Sequence, residues 1–105
     1  MERKSAKQRI ISDIKSGDVR IQVTGYIKQL VAKDYLLLDD ESGPQIKVDI
    51  KNVDVPFKEK HLINVIGDLH LSMEGEKEIK ADIIQDMENL NFEYYKKIYD
   101  IKKNL

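Results

Sequence analysis

The stretch RIQVTGYIK at residues 20–28 decides the fold class, because apolar and polar side chains alternate along it. Ile21, Val23, Gly25 and Ile27 fall on one side of this stretch, and the residues between them on the other. Alternation with a period of two predicts a β-strand with one buried face. A glycine in the middle predicts a bend or bulge where one long strand turns a barrel corner.

Four more strands follow along the chain, at residues 35–40, 45–51, 61–72 and 77–84. Turn formers at 39–44 join the second and third strands into a hairpin, and those at 73–76 join the fourth and fifth. Residues 51–60 lack a clear period and are expected to form a loop or a single helical turn. Parity predicts these inward side chains: Ile46, Val48, Ile50, Ile63, Val65, Gly67, Leu69, Leu71, Ile79, Ala81 and Ile83.

The last segment changes to a helical period. Apolar residues recur there at spacings of three and four, at Met87, Leu90, Tyr94, Ile98, Ile101 and Leu105. This pattern predicts an amphipathic helix over residues 88–105, with Asn89 or Asn91 as its N-cap. Phe92, Tyr95 and Tyr99 widen the apolar stripe, which indicates burial on more than one side. We expect Phe92 to pack on the barrel and Tyr94, Ile98, Ile101 and Leu105 to face a partner helix.

Length and composition narrow the class of protein. The chain has 105 residues and no cysteine, which fits one domain and excludes a disulfide framework, a thiolate metal site and a cysteine nucleophile. No apolar run approaches the ~18 residues of a membrane span, and the polar N-terminus predicts no secretory signal. A cytoplasmic location is therefore expected. The predicted organisation is a single domain over 1–105, with a basic tail at 1–9, a barrel at 10–86 and the helix at 88–105.

The net charge of −1 hides an uneven distribution. Residues 1–33 carry +5, residues 34–93 carry −9 and residues 94–105 carry +3. Because the field at a surface depends on local arrangement, a basic face is compatible with a neutral total. The tail cations Arg3, Lys4, Lys7 and Arg9 are candidates for sequence-independent phosphate contacts, or they simply keep the terminus soluble.

Five strands with short hairpins and a terminal helix predict an all-β protein: a five-stranded OB-fold Greek-key barrel with a C-terminal α-helix. The runs ISDIKSGD (11–18), VTGYI (23–27), LLLDDESG (36–43), INVIG (63–67) and KADII (80–84) resemble single-stranded-DNA-binding OB domains. The likeness is to the family of replication protein A and its archaeal relatives, and it covers about residues 10–86. The terminal helix is similar to that of the small subunits of that complex, where such helices assemble subunits.

OB-folds bind ligands on the second and third barrel strands and the adjoining loops, and single strands are held by aromatic platforms and cations. The alternation places the outward side chains of these strands on the same surface as Tyr26 and Lys28 of the first strand. The candidate nucleic-acid-binding residues are Tyr26, Lys28, Lys33, Tyr35, Leu37 and Lys47. The alternative is that the two tyrosines merely cover the barrel, and the acids Asp39, Glu41 and Asp49 would repel phosphate.

Catalysis and metal binding have little support in the sequence. His61 and His70 are too far apart along one strand to share a metal. The run Asp39-Asp40-Glu41 is better explained as a turn that bonds its own backbone than as a metal site. We therefore expect no enzyme activity, no cofactor and no metal.

Three functions are compatible with this pattern. The first is non-catalytic binding of single-stranded nucleic acid, foremost DNA, in a replication or repair complex. The second is a protein-interaction subunit that docks a larger partner, or other OB subunits, through its C-terminal helix. The third is an RNA-binding OB domain of the tRNA-binding sort.

Overall fold

The computed structural model describes residues 5–105, which form six strands, a short 3-10 turn and one helix. The phosphate contacts predicted for Arg3 and Lys4 lie outside the described residues. The elements are β1 (Lys7–Gln8), the 3-10 turn (Ile11–Asp13), β2 (Arg20–Val31), β3 (Tyr35–Asp39), β4 (Gln45–Asp49), β5 (Leu62–Leu71), β6 (Lys77–Asp86) and α1 (Phe92–Lys103).

Strands β2 to β6 close into a barrel in the order β2-β3-β4-β6-β5, with β5 returning to β2. The β4–β6 pairing is parallel and the other barrel pairings are antiparallel. Closure leaves no open edge among these five strands. The barrel and its terminal helix are the architecture predicted from the sequence.

The long strand β2 serves both halves of the barrel. Arg20 to Tyr26 pair with β5, and Tyr26 to Val31 pair with β3. Gly25 lies at the change of partner, where a Cβ atom would stand 2.8 Å from the carbonyl oxygen of Asp39. The corner predicted at Gly25 is therefore real, but the bulge itself falls at Lys28, where the register with β3 shifts.

The core contains the side chains that the alternation predicted for β2 to β4, with Ile21, Val23 and Ile27 fully buried. The carboxylate of Asp40, itself 1% exposed, ties the N-terminal segment to this barrel. Its Oδ2 accepts a hydrogen bond of 2.7 Å from the amide of Ile11, and its Oδ1 accepts one of 3.1 Å from the amide of Ser42. The β3–β4 turn thus also positions the 3-10 turn.

Two predicted inward residues are exposed, and both errors have a physical cause. Ile83 is 38% exposed because the register of β5 and β6 shifts at Asp82, which turns Ile84 rather than Ile83 toward the core. Leu71 is 67% exposed because it is the last residue of β5, next to the hairpin turn.

The ends of the chain also differ from the sequence prediction. No strand is predicted in the basic tail, but Lys7 and Gln8 pair in parallel with Ile21 and Gln22 of β2. The helix begins at Phe92 rather than at residue 88, because residues 87–90 form a turn with a Leu90 to Met87 hydrogen bond. It ends at Lys103 rather than at residue 105, because Asn104 caps it. Among residues 5–105, no helix is both long and apolar enough to span a membrane.

Candidate nucleic-acid interface

Three of the predicted site residues come together on the outer surface of β3 and β4. Tyr35 and Leu37 are half-buried on β3, and Leu37 lies opposite Lys47 in the ladder. The ammonium of Lys47 lies over the Tyr35 ring, 4.4 Å from its centroid. A cation over an aromatic ring is attracted by the ring quadrupole, so these two side chains hold each other in place.

The parallel pairing of β4 with β6 brings Glu78 onto the same surface. Its Oε1 lies 3.8 Å from the ammonium of Lys47, and its Oε2 lies 3.6 Å from Nε2 of His70. Tyr35, Lys47, Glu78 and His70 therefore form a continuous line across β3, β4, β6 and β5, called here the Tyr35 face. Lys47, the one predicted cation of this face, lies beside the carboxylate of Glu78, whose side chain is only 13% exposed.

The edge of the Tyr35 face is also balanced in charge. Asp49 lies opposite Tyr35, and its carboxylate is 3.6 Å from the ammonium of Lys51. The same ammonium is 3.1 Å from Asp34 in the β2–β3 turn. Hydrogen bonding to Asp34, together with both carboxylate charges, raises the pKa of Lys51. The sequence prediction therefore overlooked that the acids of this face have cations of their own.

Tyr26 and Lys28 lie away from Tyr35. Tyr26 is opposite Asp39 at the far end of β3, and its ring meets Phe92 of α1 edge-on at 5.2 Å. Both Tyr26 and Lys28 line a separate cavity of about 370 Å³, together with Lys60 and Asp39. The predicted single face is thus divided into two sites.

Lys33 belongs to neither site. It is exposed in the β2–β3 turn, at the rim of a cavity of about 480 Å³ with mostly apolar walls. Ile50, Val53, Val55 and Pro56 contribute to those walls. The three predicted lysines, Lys28, Lys33 and Lys47, therefore do not gather on one surface.

Two charged residues of these sites were missed in the sequence. Glu78 was detectable, because alternation along β6 places it on the outer side, opposite the buried Ile79. Lys60 was not detectable, because its position depends on a loop that returns to β2. The amide of Lys60 donates a 2.7 Å hydrogen bond to the carbonyl of Ile27.

The acidic turn behaves as the sequence indicated. Asp39 Oδ1 accepts a 2.8 Å hydrogen bond from the amide of Glu41, two residues on, and Asp40 does the same for Ser42. Within residues 5–105, no group of three or more histidine, aspartate or glutamate side chains is arranged to hold a metal ion. His61 lies between two carboxylates, with Nε2 2.9 Å from Asp86 and Nδ1 3.1 Å from Glu88.

Helix α1 has two different faces. Its inner face packs on the barrel through Phe92 and Tyr99, which are both buried. The hydroxyl of Tyr99 donates a 2.9 Å hydrogen bond to Asp13, and Asn91 caps the helix by accepting from the amide of Tyr94 at 3.0 Å. Burial, and then the bond to Asp13, raise the pKa of Tyr99.

The outer face of α1 carries the apolar stripe predicted to meet a partner. Tyr94 is 63% exposed, Ile101 is 59% exposed and Leu105 is 99% exposed, while Ile98 is half-buried between them. Tyr94, Ile98 and Ile101 follow one another at spacings of four and three, so they form a single line along the helix, and Leu105 lies just past its C-cap, Asn104. We call these four residues the outer stripe.

One tail cation is already engaged within the fold. The guanidinium of Arg9 binds the carboxylate of Asp18 through two hydrogen bonds of 3.0 Å each. This bidentate contact lowers the pKa of Asp18 from 3.8 to about 2. Arg9 therefore holds the N-terminal segment to the start of β2, and its guanidinium is not free for phosphate.

No protein-family model and no curated protein sequence matches this chain. Among solved structures, the fold is similar to the telomere capping protein Ten1 from Saccharomyces pombe. The TM-score is 0.74 and the identity 19%, over 96% of this chain and 100% of that one. A chain of the Stn1–Ten1 complex of the same species gives the same three values for this chain, and 94% of that chain is covered.

A third similar structure is the hypothetical protein ygiW from E. coli, with a TM-score of 0.58 and 20% identity over 79% of this chain and 90% of that one. At these identities the likeness shows the fold alone. It confirms the predicted OB-fold, a closed five-stranded barrel with one C-terminal helix. The resemblance to archaeal replication protein A is not confirmed.

Proposed function

We propose that this chain is a non-catalytic binding domain for single-stranded nucleic acid, foremost DNA, that works as a subunit of a larger complex. The observation that carries the proposal is the contact of Lys47 with Tyr35 on the outer surface of β3 and β4. This is the surface on which OB-folds bind oligonucleotides. A stacking ring and a cation are the two groups that single strands require.

The Tyr35 face supports binding of modest strength. A base that stacks on Tyr35 contributes about 1–3 kcal/mol, and it displaces the ammonium of Lys47 from the ring toward a neighbouring phosphate. Leu37, half-buried beside them, extends the apolar surface available to the base. The carboxylate of Glu78 opposes the phosphate, so we expect an affinity below that of OB domains with several aromatic platforms.

The structural neighbours favour work in a complex at chromosome ends, whereas a role in a replication or repair complex rests on the sequence alone. The chain shares its whole fold with a telomere capping protein, and a similar chain has been crystallised in a complex with Stn1. A replication-protein-A-like role, an archaeal source and a cytoplasmic location stay predictions from the sequence.

Fluorescence anisotropy of labelled oligo-dT tests this function. Wild-type protein is expected to bind at low salt, and Tyr35→Ala to weaken binding about five- to twentyfold through the lost stacking. Tyr94→Ala is the matched control, because Tyr94 is an exposed tyrosine of α1 that lies outside the Tyr35 face. Equal affinity of wild type and Tyr35→Ala would remove the Tyr35 face from the proposal, and absence of binding at low salt would refute the function.

A second function is favoured by the outer stripe of α1. Tyr94, Ile98 and Ile101 form an apolar line on a helix whose other face is already packed on the barrel, and the exposed Leu105 lies just past the end of that helix. Such a line fits a helix of a partner protein, whose own apolar residues would cover it. In this role the barrel is a scaffold, and the same chain would bind nucleic acid and a partner on separate surfaces.

A further inference from the structure

The cavity beside Tyr26 is built by a contact between elements that are distant in sequence. The amide of Lys60 donates to the carbonyl of Ile27 at 2.7 Å, and the amide of Ile27 donates to the carbonyl of His61 at 3.0 Å. These bonds extend the β2–β5 ladder past Leu62. They bring Lys60 next to Lys28, the residue at the β2 bulge, across a cavity of about 370 Å³.

Two lysines of this cavity have no acidic partner in the part of the chain that the structure describes. Lys28 and Lys60 are exposed and make no ion pair with another described residue. Of the two acids of the cavity, only Glu41 has a cation of its own within residues 5–105, and Asp39 keeps its negative charge. Asp39 Oδ1 accepts from the amide of Glu41 at 2.8 Å, and Glu41 Oε1 lies 2.7 Å from the ammonium of Lys96.

Tyr26 supplies the third element of the cavity. Its ring is held edge-on against Phe92, which is itself packed under the ammonium of Lys96 at 4.9 Å. A ring fixed in this way offers a surface for a base or sugar at little cost in side-chain entropy. The two unpaired ammonium groups beside it outnumber the one unpaired carboxylate of the cavity, that of Asp39, so the cavity favours an anion such as one phosphate.

We propose that Tyr26, Lys28 and Lys60 form a second nucleotide subsite, in which the two ammonium groups bind one phosphate and the Tyr26 ring contacts the attached nucleoside. The subsite rests on the proposed function in one respect only, that its ligand belongs to a nucleic-acid strand. Its recognition of a nucleotide phosphate is independent of the Tyr35 face.

The position of the subsite relates it to the Tyr35 face. Tyr26 lies opposite Asp39, and Tyr35 is four residues away on the same strand, a rise of about 13 Å along β3. A strand of about 4–16 nucleotides is the usual ligand of one OB-fold and is long enough to reach both sites. The second subsite then adds the phosphate contact that Glu78 weakens on the Tyr35 face.

Titration of ¹⁵N-labelled protein with thymidine 5′-monophosphate tests the subsite directly. We expect amide shifts at Ile27, Lys28 and Lys60, and much smaller shifts with thymidine, which lacks the phosphate. Inorganic phosphate is expected to shift the amides of Lys28 and Lys60 but to leave Tyr26 unchanged. The double substitution Lys28→Gln with Lys60→Gln is expected to weaken the nucleotide about fivefold.

A charge-matched control separates the subsite from general electrostatics. Lys15→Gln with Lys102→Gln removes the same charge from two exposed lysines outside the cavity and is expected to change the affinity less than twofold. Equal loss in both double variants would overturn the subsite, as would the absence of nucleotide-dependent shifts at residues 26–28 and 60.

The same variants distinguish this inference from the proposed function. If oligo-dT fails to bind while the mononucleotide shifts the cavity residues, the proposed function falls and the subsite stands. If oligo-dT binds the Lys28→Gln, Lys60→Gln variant with the wild-type affinity and salt dependence, the subsite is refuted and the function stands.

Discussion

Under the proposed function, we expect Glu78 to lower the affinity of the Tyr35 face for nucleic acid, because its carboxylate lies between Lys47 and His70, at 3.8 Å and 3.6 Å. A carboxylate at that position attracts the ammonium that phosphate needs and repels the phosphate itself. We therefore expect this surface, despite its stacking ring and cation, to bind nucleic acid only modestly.

Substitution of Glu78 is therefore expected to strengthen binding. Glu78→Gln keeps the shape of the side chain and releases Lys47, so the affinity for oligo-dT should rise about two- to fivefold. The slope of log affinity against log salt should steepen by up to about one, because one more ion contact forms. Asp100→Asn, an equal charge change on the exposed side of α1, is the control. Unchanged affinity in Glu78→Gln would show that Glu78 does not face the ligand.

The ionisation of Asp18 makes the stability of the folded state depend on pH in the acid range. The Arg9 guanidinium lowers its pKa from 3.8 to about 2, so the folded state holds the carboxylate ionised where the unfolded state takes up a proton. The stabilisation is complete above about pH 4 and is lost as the pH falls through about 2. With allowance for solvent screening, it amounts to about 1–2 kcal/mol.

Urea unfolding at a series of pH values measures this contribution. Asp18→Asn is expected to lower the free energy of unfolding at pH 7 by about 1–2 kcal/mol and to flatten its decline between pH 4 and pH 2. Asp54→Asn, in the exposed β4–β5 loop, is the control. An identical pH profile for Asp18→Asn and wild type would contradict the role of the Arg9–Asp18 pair.

Helix α1 packs on the barrel with one face and exposes the outer stripe on the other. Its inner face is fixed by Phe92 against Tyr26 and by Tyr99, whose hydroxyl donates to Asp13 at 2.9 Å. The carboxylate of Asp13 is partly buried, which acts to raise its pKa, but hydrogen bonds from Tyr99 and Lys103 lower the pKa overall. Because these contacts hold the helix on the barrel, the outer stripe points away from it.

Charge placed on the outer stripe tests the partner role of the helix. Ile101→Glu with Leu105→Glu is expected to leave the thermal midpoint nearly unchanged, because both side chains are more than half exposed. The same variant should lose capture of a partner subunit from the cells of origin, or lose self-association in sedimentation velocity. Lys97→Glu with Lys102→Glu, on the same helix, is the control. Retained association in the Ile101→Glu, Leu105→Glu variant would show that the stripe is not an interface.

The alternation of apolar and polar residues predicts which side of most strands is buried, and the remaining positions depend on how the barrel closes. The parity of Val23, Ile27 and Val48 is set by neighbours in sequence, so these core residues are correctly predicted. The bulges at Lys28 and Asp82 are set by the register between strands that meet only in the closed barrel. A prediction that continues the same alternation through the bulge at Asp82 therefore wrongly places Ile83 in the core.

The candidate site depends even more on distant pairings. Lys47 and Tyr35 belong to one hairpin, and the sequence brings them together correctly. Glu78 reaches Lys47 through the parallel β4–β6 pairing, and Lys60 reaches Lys28 through the return of the loop to β2. The net charge of a segment does not reveal such pairings, so the +5 of residues 1–33 did not indicate which lysines are free.

Across the whole molecule, the fold presents the Tyr35 face and the outer stripe as separate surfaces on one barrel. The measurement that tests nucleic-acid binding most directly is a titration of ¹⁵N-labelled protein with oligo-dT at low salt. The structure predicts that the amides of Tyr35, Leu37 and Lys47 shift first and that a moderate increase in salt reverses these shifts. Shifts confined to residues 94–105, or none at all, would contradict nucleic-acid binding on this barrel and leave the partner surface as its function.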